Sequence, residues 1–223
     1  MNLDLWYERV VRYYQKHGTV GIFKRVFQKI METLSPRPDV VYYVDLPNLD
    51  SPKHALPSDW RIVERKSREE MSEQEIETLC SHLGRKAVLR QLKERFERRS
   101  SLWLAYVGNQ PAGMIWSEVG STMNPHYLLL APKDVHLYDN YVFEQFRGKG
   151  INPILVETVL WLLKKQGFRR VYGETKWRNV SERRSLSKTS FEILGTASTR
   201  SFLKKMIVIW HFGYDPHVLP VRK

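Results

Sequence analysis

Between Val142 and Asn152 the chain reads VFEQFRGKGIN, a stretch that concentrates groups suited to holding an anion. An apolar run with strand character, Val135 to Phe143, precedes it, and a long helical pattern, Pro153 to Lys165, follows. A strand is therefore expected to end, turn through glycines and open a helix whose free N–H groups cradle a phosphate or pyrophosphate. Gly148 and Gly150 supply backbone conformations closed to residues with a Cβ and let a ligand approach the main chain. Arg147 and Lys149 place fixed positive charge beside them. The spacing is neither the Gly-x-x-x-x-Gly-Lys-Ser/Thr of a Walker loop nor the Gly-x-Gly-x-x-Gly of a dinucleotide site.

The elements that must position this loop read in order from Trp60. Period and turn signals predict a strand (Trp60 to Lys66), two helices (Ser72 to Leu83, Arg85 to Arg98) and two strands (Leu102 to Gly108, Gly113 to Gly120). After a loop come the strand before the glycines, the helix Pro153 to Gln166, a strand (Arg170 to Thr175) and a helix (Val180 to Thr189). Two strands, Phe191 to Thr196 and Met206 to Phe212, end the pattern. Ser72 with Glu75 three residues on is a capping-box signature, and Gly167 marks a helix C-terminus. Asn109-Gln110, between Gly108 and Pro111, reads as a tight hairpin turn.

The pattern Gln145-x-x-Gly148-x-Gly150, with Val142 before it and Ile151 and an amphipathic helix after it, resembles the acyl-CoA loop of the GCN5-related N-acetyltransferase (GNAT) superfamily. The element order β-α-α-β-β-β-α-β-α-β-β is also that family's, so the resemblance covers about Trp60 to Phe212. It implies an α/β (α+β) fold, a mixed central sheet of about seven strands flanked by helices. Residues 1–38 form an amphipathic, basic helical extension, 39–59 a strand and linker, and 60–223 the acyltransferase domain.

The resemblance further implies an acetyl-CoA cosubstrate held by the main chain of Val142 and by the segment Gln145, Phe146, Arg147, Gly148, Lys149, Gly150, Ile151 and Asn152, with no metal. The family usually continues Gly-x-Gly-[Ile/Leu/Val]-Gly, whereas Asn152 and Pro153 follow Ile151 here. A second marker resembles Asn-x-x-Ala-x-x-x-Tyr-x-Lys-x-Gly-Phe. Asn179, Lys188 and Phe191 match it; Glu182 stands for the alanine, Leu186 for the tyrosine and Ser190 for the glycine. In the family that tyrosine commonly protonates the departing thiolate, and Ser185 or Ser187 stands nearby as a substitute. Acyl transfer to an amine also needs a proton acceptor. His136 titrates in the right range and occupies a strand position where several family members keep a base, with Tyr138 as partner or rival. Strict alternation puts His136, Tyr138 and Asn140 on one face of their strand.

The implied activity is transfer of an acetyl group to the amine of an acceptor, a small molecule or amino sugar being favoured, by direct attack in a ternary complex. One alternative is an N-acyltransferase of the same fold served by long-chain acyl carrier protein. Another is a noncatalytic binding module. The acceptor pocket falls to the first two helices and to the loop Ser121 to Asp134, which is unusually apolar.

Composition bounds these readings. With 223 residues and 42% apolar content the chain buries one sizeable core. A net charge of +12 implies acidic partners. Arg85 to Arg99 carries seven basic and two acidic residues, a face suited to CoA, to carrier protein or simply to solvent; no nucleic acid-reading motif accompanies it. In the N-terminal extension Phe23, Val26, Phe27, Ile30, Met31 and Leu34 form one apolar stripe. That stripe calls for a covering surface: its own domain, a second subunit in a homodimer, or an anionic membrane surface. The single cysteine, Cys80, lies on a periodic apolar face and reads as a small buried residue. The start lacks the basic-then-apolar order of a secretory signal, so a cytoplasmic protein is expected.

Overall fold

The computed structural model describes residues 18–20, 38–120, 123, 127–202 and 205–212. Apart from Gly18 to Val20, the expected N-terminal helices lie outside the described residues.

Among the described residues eight strands form one mixed sheet, flanked by helices. In chain order the elements are β1 (Asp39–Asp45), β2 (Trp60–Arg65), α1 (Glu73–Leu83), α2 (Arg85–Glu97), β3 (Ser101–Val107) and β4 (Gln110–Val119). Then come β5 (Asp134–Val142), α3 (Ile151–Lys165), β6 (Arg170–Lys176), α4 (Val180–Leu186), β7 (Glu192–Phe202) and β8 (Lys205–Phe212). The sheet order is β2-β3-β4-β5-β6-β1-β7-β8, and every neighbouring pair is antiparallel except β5 and β6.

The local signals are realised. Ser72 caps α1 by accepting from the Glu75 amide (3.2 Å) while the Glu75 carboxylate accepts from the Ser72 amide (2.6 Å). Gly167, at φ 83°, follows α3 and turns the chain into β6. The β3–β4 hairpin turns through Gly108 and Asn109. The helix after β6 stops at Leu186, three residues short of the predicted Thr189, and β7 runs to Phe202, six beyond the predicted end.

β1 is the strand expected within residues 39–59, but its place in the sheet is not legible in the chain. It lies inside the sheet, paired with β6 on one side and β7 on the other. Val40, Val41, Tyr42 and Val44 are all buried there. The segment after it is also anchored. The Lys53 amide and the Ser190 hydroxyl donate to the buried Glu157 of α3 (3.0 and 3.2 Å), and the Lys53 ammonium donates to the Thr189 carbonyl (2.6 Å).

The main core joins α1, α2 and α3 to the sheet. α3 contributes Ile151, Leu155, Val156, Val159, Leu160 and Leu163, each burial worth about 1.5 to 3 kcal/mol relative to exposure. Cys80 is buried in the same core. A smaller cluster explains the apolar loop before β5: Met123, Tyr127 and Leu130 pack on Val41, Tyr172 and Leu194. Among the described residues no helix is long and apolar enough to cross a membrane.

Candidate functional site

β5 and β6 pair for three residues only, Asp134 with Arg170, Val135 with Val171 and His136 with Tyr172. Beyond His136 the strands separate, and a cleft opens between them. It is lined on one side by Leu137, Tyr138, Asp139 and Asn140 and on the other by Gly173, Glu174 and Thr175, with Asn179, Glu182 and Leu186 of the α4 region beneath. Parallel strands that stop pairing leave backbone donors and acceptors without sheet partners, which suits them to an extended ligand.

The divergence has a local cause in β5. Trp116 of β4 faces Tyr138 and Met114 faces Tyr141, so Asp139 and Asn140 together stand opposite Ile115. Asp139 sits at φ 49°, a left-handed conformation that aspartate tolerates better than most residues. This bulge breaks the expected alternation. Asp139 stays on the side of Tyr138, because Arg95 of α2 pairs with its carboxylate while lying 5.0 Å from the Tyr138 ring. Asn140 instead turns towards α3 and α4, donating to Asn152 and, at 3.3 Å, to Glu182.

At the end of β5 the chain forms a short 3₁₀ turn, Glu144–Phe146, and then the glycine loop. Gly148 and Gly150 both have φ of 77°, and Gly150 is the N-cap of α3 with no side chain satisfying the first turn. The amides at the start of α3 therefore point out of the loop without helical partners. Gln145, Arg147 and Lys149 are exposed; Phe146 and Ile151 are buried, so their side chains belong to the core and only their backbone faces the loop. Arg147 is held over Tyr141 and donates to the Val142 carbonyl (3.1 Å).

Glu182 marks the floor of the cleft. It lies at the third position of α4, whose N-cap Asn179 accepts from the Glu182 amide at 3.3 Å. Its carboxylate accepts from Asn140 and from Asn152 (3.2 Å), the latter in the first turn of α3. Burial pushes the Glu182 carboxyl above its ordinary value, and the two amide donors offset this only in part. The side-chain oxygens Asn140 Oδ1 and Ser185 Oγ are buried without partners among the described residues.

On the Tyr138 side, His136 is buried; its Nε2 lies 2.9 Å from Glu174 and its ring stacks on Tyr138 at 5.0 Å. Tyr138 donates to the Ser100 hydroxyl (3.1 Å) and lies 3.4 Å from Glu118. Burial raises the Tyr138 hydroxyl above its usual range despite the help of Ser100 and Arg95. The geometry thus brings Tyr138 and Asn179 to one cleft, with His136 one contact behind it through Glu174; the glycine loop does not line the cleft and meets it through the contact of Asn152 with Asn140. Ser185 is adjacent to cleft-lining Leu186. Nothing in the sequence singles out Glu174, Asn140 or Arg95 as site residues, and Glu182 stands out there only as a departure from a pattern. No three His, Cys, Asp or Glu side chains converge as a metal site among the described residues.

Residues 65–184, more than half of the chain, match the Acetyltransferase (GNAT) family. The chain belongs to that family. Among solved structures, a conserved protein of unknown function from Staphylococcus epidermidis ATCC 12228 superposes with a TM-score of 0.51 at 12% identity, over 77% of this chain and 64% of that one. A GNAT-family acetyltransferase from Colwellia psychrerythraea gives 0.47 at 15% identity, covering 70% and 53%. A GCN5-related N-acetyltransferase from Kribbella flavida gives 0.47 at 11%, covering 72% and 56%. The present GNAT chain therefore spans between 53% and 64% of the length of these structures. No curated protein matches it.

Proposed function

We propose that this chain is an N-acetyltransferase that moves the acetyl group of acetyl-CoA to the amine of a small acceptor such as an amino sugar, by direct attack in a ternary complex. The observation that carries this reading is the parting of β5 from β6 beside a loop whose two glycines are left-handed and whose helix start is uncapped. The residues present fit such a donor. Backbone amides from Gly148 to Asn152 suit its pyrophosphate, and the unpartnered Asn140 Oδ1 suits an amide N–H of its pantetheine arm. When bound, acetyl-CoA supplies an activated thioester carbonyl.

The chain's own residues then handle the proton. If His136 donates its Nε2–H to Glu174, Nδ1 keeps the lone pair that accepts the proton of the acceptor ammonium, directly or through water. Tyr138 closes the same side of the cleft, and Ser185 is the hydroxyl available next to Leu186 for the departing thiolate.

Thiol release from acetyl-CoA over a panel of amines tests the activity. His136→Gln is expected to lower kcat/KM by about 10² to 10⁴ and to flatten its rise with pH; an unaltered profile removes His136 from the mechanism. A noncatalytic binding module is the second reading, favoured by the buried Leu186 where the family usually has a tyrosine. Tight acetyl-CoA binding with no turnover on any amine would select it.

A further inference from the structure

Two of the places where this chain departs from the family's donor loop and helix patterns, Asn152 and Glu182, touch each other. Asn152 donates to the Glu182 carboxylate at 3.2 Å, and Asn140 donates to both. The three side chains come from α3, α4 and β5, so together they bridge the cleft between its walls. Where glycine and alanine are usual, a carboxylate held by two neutral amides is found.

We propose that this bridge is a binding determinant of the donor site, and that Glu182 takes up a proton when an anionic, pyrophosphate-bearing donor occupies the cleft. The inference rests on the donor reading above.

Three features support it. An arm entering the cleft beside this bridge parts Asn152 or Asn140 from Glu182, which takes from a half-buried carboxylate one of its two donors. Leaving it ionised on a single neutral donor is costlier than protonating it. Phosphates gathered at the start of α3 add negative charge beside Asn152, which also favours the neutral acid. The network tolerates the change, because the unpartnered Asn140 Oδ1 has two lone pairs, and turning the amide would present one to a carboxyl O–H while the other stays open to the donor's N–H.

The charged and titratable groups beside Glu182 or lining the same cleft are Arg183 on α4, Tyr42 on β1, Asp139 on β5 and Glu174 on β6; Arg147 and Lys149 stand on the loop that precedes Asn152. Arg183 lies over the Trp177 ring and donates to the Trp177 carbonyl (2.7 Å); Arg147 is occupied by Val142 and Glu144; Lys149 stands over Phe146. Among the described residues none of these cations forms an ion pair with Glu182. Burial already raises this carboxyl, so ligand binding needs to move it only further in the same direction.

Titration calorimetry with coenzyme A itself, run at fixed pH in two buffers of different ionisation enthalpy, reads the protons exchanged. The wild-type chain is expected to take up as much as one proton more than Glu182→Gln, and its Kd to rise by up to about tenfold per pH unit relative to that variant. Comparing the two proteins with one ligand cancels the titration of the ligand's own phosphates. Equal proton uptake in both proteins, with coenzyme A bound, overturns the role of Glu182 and leaves the donor reading standing. Absence of coenzyme A binding in the wild-type chain overturns the donor reading and this inference with it.

Discussion

Glu75 and Glu182 begin from the same local sequence logic and end in opposite states. Each is the third residue of its helix, behind a side chain that caps the first turn, Ser72 for α1 and Asn179 for α4. Glu75 reaches back to the Ser72 amide and completes the capping box; Arg65 and the Tyr106 hydroxyl then add a cation and a third donor. In α4 the capping residue's own amide already donates to the Lys176 carbonyl (2.8 Å), so Glu182 is released towards the cleft. There it meets two carboxamides. Burial pushes both carboxyls up, but around Glu75 the partners win and hold it below its ordinary value, whereas around Glu182 they do not. A buried glutamate with three donors, one of them a cation, supports the fold; one with two neutral donors can still change its charge when something enters beside it.

The largest effect that would test this contrast is on stability. Glu75→Gln leaves Arg65 without its carboxylate at a position where Glu75 is only 2% exposed, and should cost about 3 kcal/mol in urea unfolding. Coenzyme A affinity of the folded fraction should be unchanged. A large loss of affinity would show that the two regions are not separable.

Gly150→Val tests the other region. Nothing lies within 4 Å of a Cβ added there, so the damage comes from φ of 77° alone. A β-branched residue in that conformation costs about 1 to 3 kcal/mol. The exposed loop can relax elsewhere, so coenzyme A affinity is expected to fall tenfold or more with the melting temperature little changed. Retained affinity would disconnect the glycine loop from donor binding.

The smallest effect is the most discriminating, because the two carboxylates should respond to pH with opposite sign. Glu75 has a folded value below the usual 4.5, so its contribution is present above that pH and is lost as pH falls through the folded value. The gap between wild type and Glu75→Gln should therefore close on acidification. Glu182 has a folded value above 4.5, so its ionisation opposes folding as pH rises from 4.5 through the folded value. Glu182→Gln should thus be slightly more stable than wild type at neutral pH, and level with it near pH 4. Melting temperatures of the three proteins from pH 4 to 8 decide this.

What can be read from the chain is what is local. The capping box and the glycines before α3 are written in contiguous residues and are in place, and the hairpin expected at Asn109-Gln110 turns one residue earlier, through Gly108 and Asn109. The bulge at Asp139 was not legible, since no glycine marks it and aspartate enters the left-handed region without a sequence signal. Missing it sent Asn140 to the wrong face and hid its contact with Asn152 and Glu182. Glu174 escaped notice because its meaning depends on His136, 38 residues earlier and on a different strand. The apolar loop before β5 was correctly seen as odd, yet its partners Val41 and Leu194 are remote in sequence.

The seat of β1 has a kinetic consequence. Asp39 pairs with both Lys176 and Ala197, so a strand near the start of the chain completes its hydrogen bonds only with two strands from the last quarter. Closing loops of that length slows folding, because their entropy is lost before any contact rewards it. On the ribosome β1 emerges well before its neighbours, carrying Val40, Val41, Tyr42 and Val44 uncovered while α1 to α3 and β2 to β5 take shape. A nascent chain halted before β7 would hold a sheet able to form from β2 to β6 and an apolar strand with only one possible partner. Protection of β1 amides from hydrogen exchange should therefore appear late in refolding.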